Sequence, residues 1–287
     1  MINKTLKLHN NIEIPVIGFG TWLIPNIEAK SAVLNAINSG YKHIDTAQAY
    51  LNEEGVGEGI RESKVKREEL FLTTKIKGEI KDYQTAKNSI DESLRKLGTD
   101  YIDLMIIHCP QPWAEFRSEK RYFKENIEVW KALEEAYEDG KVKAIGVSNF
   151  LIDDLQNLID NVKIKPMVNQ ILTHIGETPL DLIEYCQENG IVVEAYSPIA
   201  HGAALHSKNI IMMANKYNVS VAQLCIRYTI QLGMVTLPKS TNAEHIKSNT
   251  EVNFIISDED MEILKAAKTM DYGQDIAWPV FAKRTQK

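Results

Sequence analysis

Short β-favouring runs alternate with amphipathic stretches eight times in succession, with no linker or low-complexity segment between them. Counting from Ile17, strands are expected at 17–21, 41–45, 70–75, 101–107, 142–147, 165–170, 191–196 and 234–238. Helices are expected at 28–39, 52–63, 82–97, 124–139, 151–161, 178–189, 209–217 with 220–232, 242–249 and about 258–268. Several strands are continuously apolar, as in Leu104 to Ile107 and Ile191 to Val193, the pattern of a parallel strand buried on both faces. Gly40, Gly190 and Gly233 close helices where a left-handed cap is usual. Thr5–His9 and Ile12–Ile14, separated by Asn10-Asn11, form a hairpin signal ahead of the first unit. Eight strand–helix units point to a (β/α)8 TIM barrel, an α/β fold, with an N-terminal β-hairpin and an irregular C-terminal tail over the barrel mouth. A doubly wound open sheet is the rival. The length of 287 residues suits a single domain over 1–287.

Charge and cysteine content narrow the function. With 33 Lys and Arg against 39 Asp and Glu, the formal charge is −6. That balance disfavours nucleic acid and anionic membrane surfaces as partners. The first residues lack an apolar targeting core, and no apolar run approaches the ~18 residues of a membrane span. Cys109, Cys186 and Cys225 are few and widely spaced, with no metal-ligand spacing around them. A reduced cytoplasmic protein without a metal is expected, acting as a monomer.

Gly55-Val56-Gly57-Glu58-Gly59 resembles half of a dinucleotide fingerprint. It falls inside an expected helix and not on a strand-to-helix turn, so it reads as close helix packing. The chemistry lies instead at strand ends. Asp45 ends the second strand, with Tyr50 five residues on; Lys75 ends the third, and His108 follows the fourth. Singly, each has a structural reading: a loop cap, a packed ring, a surface lysine, a satisfied loop histidine. In a barrel, however, neighbouring strand ends share one mouth. Asp45 would then anchor Lys75, Lys75 would lower the phenol pKa of Tyr50, and His108 would orient a carbonyl.

Longer motifs carry a resemblance. Gly40-Tyr41-Lys42-His43-Ile44-Asp45-Thr46-Ala47 with Tyr50 and Asn52-Glu53, then Asp103-Leu104 through His108 and Pro110, then Gly146-Val147-Ser148-Asn149-Phe150, then Pro238-Lys239-Ser240, stand in order along the chain. Together they resemble the aldo-keto reductase superfamily over almost its whole length. The resemblance implies NAD(P)H-dependent reduction of aldehydes or ketones, usually with NADPH and with NADH possible. It implies Tyr50 as general acid, made acidic by Lys75 paired with Asp45, and His108 hydrogen-bonded to the substrate oxygen. Ser148, Asn149 and Gln170 would bind the nicotinamide amide and Tyr196 would stack on its ring. Gly20, Thr21 and Trp22 would border cofactor and substrate. Ser197, Lys239 and Ser240 would meet the phosphates, with His245 and Asn249 at the adenosine end.

Some positions depart from the family's pattern. Cys109 stands where tryptophan is usual, Ile175 where proline is, His245 where arginine often is and Ser248 where glutamate often is. The NADPH preference is therefore expected to be weaker than that of an arginine-bearing relative. Aromatics in 111–123 (Trp113, Phe116, Tyr122) and in 271–287 (Tyr272, Trp278, Phe281) suggest an apolar lid, with Trp22, Tyr50, His108 and Trp113 facing a small-molecule carbonyl substrate. Two other functions fit parts of the pattern. One is a Schiff-base aldolase through Lys75, which an adjacent carboxylate disfavours. The other is a nucleotide sensor, which would not need all four catalytic residues.

Overall fold

A computed structural model describes residues 2–282. Two strands form an antiparallel hairpin, β1 (Thr5–Lys7) and β2 (Glu13–Pro15), with Leu6 opposite Ile14. Eight parallel strands follow: β3 (Gly18–Gly20), β4 (His43–Asp45), β5 (Phe71–Ile76), β6 (Leu104–Ile107), β7 (Ile145–Ser148), β8 (Val168–Leu172), β9 (Val192–Tyr196) and β10 (Val235–Leu237). Each pairs with its sequence neighbour. The last meets the first, since Thr236 N donates to Val16 O at 2.9 Å and Gly20 N to Pro238 O at 3.1 Å. This closes a (β/α)8 barrel and excludes the open doubly wound sheet.

The intervening helices are α1 (Asn26–Asn38), α2 (Glu53–Glu62), α3 (Tyr83–Leu97), α4 (Phe123–Glu138), α5 (Ile152–Asn161), α6 (Leu180–Glu188), α7 (Lys208–Lys216), α8 (Val221–Gln231), α9 (Ala243–Ser248) and α10 (Asp258–Lys265). The hairpin lies at the N-terminal ends of the strands: Asn10 donates to Lys143 O at 2.9 Å, just ahead of β7. Local chemistry sets the boundaries. Asp82 caps α3 through Thr85 N at 2.8 Å, and Gly98 ends it at φ +61°. The fourth barrel strand starts later than the expected residue 101, because Asp103 is drawn into side-chain bonding. Its carboxylate accepts from Leu72 N at 3.0 Å and pairs with Arg67 at 2.7 Å.

The glycine cluster of α2 behaves as close packing. A Cβ at Gly57 would lie 2.2 Å from Leu97 O at the end of α3, and one at Gly55 would lie 2.2 Å from Asn26 O of α1. Beyond α10, residues 266–282 run back beside the C-terminal ends of the strands, where Trp278, Pro279 and Val280 line the mouth of the barrel. The expected tail over the mouth includes residues 283–287, which lie outside the described residues. No helix among the described residues is long and apolar enough to cross a membrane.

Candidate active site

The side chains that end the strands converge because the register is nearly level: Gly20 pairs with Asp45, Asp45 with Thr73, Ser148 with Gln170, and Gln170 with Glu194. After Asp45 the chain must leave the barrel and still present Tyr50. A 3-10 turn over Gln48–Tyr50 does this, and Leu51 ends it at φ 57°. The turn is staked by Gln48, whose amide donates to Ser89 O and Ser93 Oγ at 3.0 Å each and accepts from Lys77 N at 3.1 Å. Asn52 locks the next step by donating to Thr21 O and Ile24 O while accepting from Thr46 Oγ1 at 2.7 Å.

Lys75 is fully buried. Its three N–H groups all have partners: Asp45 Oδ1 at 2.6 Å, Thr46 O at 2.9 Å and the Tyr50 hydroxyl oxygen at 3.3 Å. Across the mouth His108 packs edge-on to Tyr50, with ring centroids 5.5 Å apart, and to Trp113 at 5.2 Å. Burial, with Lys75 adding to it, holds the His108 imidazole well below its usual range. His108 is therefore neutral near pH 7.

One expectation is corrected here. Lys75 does not bring the Tyr50 phenol below its ordinary range; burial first, and then the Asp45 carboxylate, hold it well above 10. The ammonium sits closer to Asp45 than to the phenol, so its field at Tyr50 is offset by the carboxylate.

The residues assigned to the cofactor join the same network. Tyr196 donates to Asn149 Oδ1 at 2.7 Å, and Asn149 donates to Ser148 Oγ and His108 O at 3.0 Å each. Ser148 donates to Gln170 O at 2.8 Å. The Gln170 amide nitrogen donates both ways, to Asp45 Oδ2 at 2.9 Å and to Glu194 Oε2 at 2.8 Å. Asn149 takes φ 62° to make its turn, a left-handed conformation that asparagine tolerates.

These groups open onto a cavity of about 880 Å³. Gly20, Trp22, Asp45, Tyr50, His108 and Trp113 lie along it; so do Ser148, Asn149, Gln170, Tyr196 and Ser197, and then Lys239, Ser240, His245 and Asn249. Two predicted residues do not face it. Lys75 stands behind Tyr50, and Thr21 is fully buried with its hydroxyl donated to Asp45 O at 2.9 Å. Of the two aromatic segments, Trp113 and Trp278 reach the cavity, while Phe116 packs on Trp113 and Tyr272 bonds His174 at 2.9 Å.

Other lining residues went unread in the sequence: His201 and Leu205 on the loop after β9, and Ser220 to Ala222 at the start of α8. Nothing local marks them, since they reach the cavity only through the path of the whole connection from β9 through α7 to α8. His201 contacts Asp275 of the tail at 2.7 Å and packs on Trp22, whose ring also meets Trp278 at 5.2 Å.

The sequence model of the aldo/keto reductase family matches residues 16–269. The chain belongs to the aldo/keto reductase family. A glyoxal reductase of Bacillus subtilis is 43% identical over 267 residues, covering 92% of this chain and 93% of that protein. An aldehyde reductase of Saccharomyces cerevisiae is 40% identical, covering 91% and 90%. Among solved structures, an aldo-keto reductase from a Medee basin deep-sea metagenome library superposes with a TM-score of 0.86 at 39% identity, covering 93% of this chain and 95% of that one. The Bombyx mori aldo-keto reductase in complex with NADP does so with 0.84 at 32% identity, covering 99% and 100%.

Proposed function

We propose that this aldo-keto reductase uses NADPH to reduce small aldehydes and ketones to alcohols, with Tyr50 delivering the proton. The observation that carries the reading is the buried Lys75 ammonium. It binds Asp45 on one side and the Tyr50 oxygen on the other, at the wall of a cavity that His108 also lines.

The long cavity fits an extended dinucleotide. At its inner end the Gln170 side-chain carbonyl has no partner among the described residues, and Ser148 Oγ and Asn149 Oδ1 each keep acceptor capacity. Such acceptors suit the NH₂ of a nicotinamide carboxamide, with the Tyr196 ring beside it. At the outer end Lys239, Ser240, His245 and Asn249 offer cationic and polar groups for phosphate. When bound, the dinucleotide supplies the hydride.

The residues of the chain then supply the proton. Hydride arrival at carbon builds negative charge on the substrate oxygen, and preorganised donors aimed there are a large stabilising effect. Neutral His108 can donate a hydrogen bond but has no acidic proton to give. Tyr50, whose phenol is held up by burial and Asp45, keeps its proton at neutral pH. Because its oxygen already accepts from Lys75, its own O–H is free to point into the cavity. The benefit of Lys75 comes as the proton leaves, when phenolate forms 3.3 Å from a fixed ammonium. A Schiff base on Lys75 would require this buried nitrogen to abandon Asp45.

The aromatic wall of Trp22, Trp113 and Trp278 suits uncharged carbonyl compounds, and glyoxal is a natural first probe given the similarity to a glyoxal reductase. The same reading takes 1–287 as one domain, cytoplasmic and monomeric. Three free, buried cysteines support the cytoplasmic part of it. The test follows NADPH oxidation with glyoxal and simple aldehydes for the parent and Tyr50→Phe. Loss of roughly 10²–10⁴-fold in turnover at unchanged cofactor affinity is expected. A Tyr50→Phe enzyme with parental turnover would refute the assignment.

A further inference from the structure

Beneath the Asp45–Lys75–Tyr50 chain lies a second carboxyl group that the reaction as described does not use. Glu194 is fully buried inside the barrel. Its Oε2 accepts from Gln170 Nε2 at 2.8 Å, and the same nitrogen donates to Asp45 Oδ2 at 2.9 Å. Its Oε1 has no hydrogen-bond partner among the described residues. Two carboxyl groups thus share one amide, and only one of them, Asp45, has a cation.

The charged and titratable groups facing Glu194 are few. From β4 come Asp45 and His43, the latter 3.8 Å from Oε1 through Nε2; from β5 comes Lys75, which is committed to Asp45. Gln170 on β8 carries no charge, and Val235, which pairs with Glu194 on β10, is apolar. Burial pushes His43 down to about 3, so the His43–Glu194 contact is not an ion pair near neutral pH. Uncompensated, Glu194 is pushed up to about 8, first by burial and then by Asp45.

We propose that Glu194 is a positioning residue for proton delivery: as a neutral acid it holds Gln170 against Asp45, and as a carboxylate it adds a second negative charge beneath Lys75 that makes Tyr50 a poorer acid. The proposal rests on the reading of Tyr50 as proton donor. Its consequence is a falling limb in the pH profile of reduction, centred near pH 8. Tyr50 titrates too high to produce it.

The experiment measures turnover at saturating NADPH and glyoxal from pH 6.5 to 9.5 for the parent, Glu194→Gln and Glu194→Met. Both replacements fix the site as uncharged at similar volume, so either serves if the other fails to fold. A shift of one pKa unit at the phenol is a tenfold effect on its acidity, so the parent should fall roughly tenfold across the window. The variants should stay flat. In infrared spectra the parent should show a protonated carboxylic acid band at pH 7 that titrates near 8 and is missing from the variants. A parental fall retained in both variants, or no such band in the parent, overturns the proposal. If Tyr50→Phe is inactive while the variants keep the parental fall, only the role of Glu194 is lost. If Tyr50→Phe is active, the underlying assignment falls as well.

Discussion

Replacing Lys75 by methionine separates charge from packing at the centre of the site. Methionine fills most of the space of the buried stem, so the change is mainly the loss of the ammonium. Three acceptors lose their donor: Asp45 Oδ1, Thr46 O and the Tyr50 oxygen. Asp45 keeps the Gln170 amide at 2.9 Å but no cation, at 3% exposure. Removing one partner of a buried ion pair costs ~3–5 kcal/mol, because the other charge is stranded. For a chain of this length about 2 °C of melting temperature corresponds to each kcal/mol, so a drop of roughly 6–10 °C is expected.

The pH dependence identifies the cause. In the variant the cost is a stranded buried charge, which protonation relieves, so the deficit at pH 7.5 should shrink by pH 5. A packing defect would not respond. Thermal unfolding of Lys75→Met, Asp45→Asn and the double variant at both pH values is the assay, with turnover measured alongside. The double variant should recover most of the lost stability while remaining inactive. A Lys75→Met protein that unfolds with the parent, or turns over at the parental rate, would refute the Asp45–Lys75–Tyr50 chain.

Other consequences can be checked separately. Gly57→Ala places a Cβ against Leu97 O, so α2 must shift from α3; a loss of about 1–3 kcal/mol in chemical denaturation is expected with KM little changed. Glu194, pushed up to about 8, holds a proton that the unfolded chain releases near ~4.3, so this group's contribution to stability falls as pH rises between those values. Glu194→Gln should remove that slope, on the order of a few kcal/mol, from denaturation curves at pH 5, 7 and 9. His245 lines the outer end of the cavity, where an arginine would grip phosphate bidentately. His245→Arg should tighten NADPH and leave NADH nearly unchanged in titrations of both cofactors. The parent's preference for NADPH should weaken with added salt.

The barrel was legible because burial on both faces leaves the strands apolar and lets polar residues accumulate at their ends. Asp45, Lys75 and His108 stand at or just after the ends of three adjacent strands, so their meeting follows from the fold alone. The protonation of Tyr50 did not follow. A lysine near a phenol predicts acidification, but burial, and then the Asp45 carboxylate beside that lysine, outweigh it, and neither is visible before the chain is folded. His201 and Ser220 were illegible for another reason: they come to the cavity through the course of the whole connection from β9 through α7 to α8, which no local pattern encodes.

Glu194 is the instructive miss, because its signal was present. A strand buried on both faces has no wet side, so a carboxylate within Val192–Tyr196 had to be paired, protonated or functional. Its neighbour became apparent only with the register, which sets Gln170 beside both Ser148 and Glu194. Residues two apart on a strand point the same way, so Glu194 sits one layer, about 6–7 Å, below Tyr196 at the rim. The layer beneath the mouth is therefore polar where a barrel interior is usually filled by branched apolar side chains. Desolvating Glu194 there, with no cation of its own, has a cost to stability, and a connection to Asp45 through a single amide gives that cost a use.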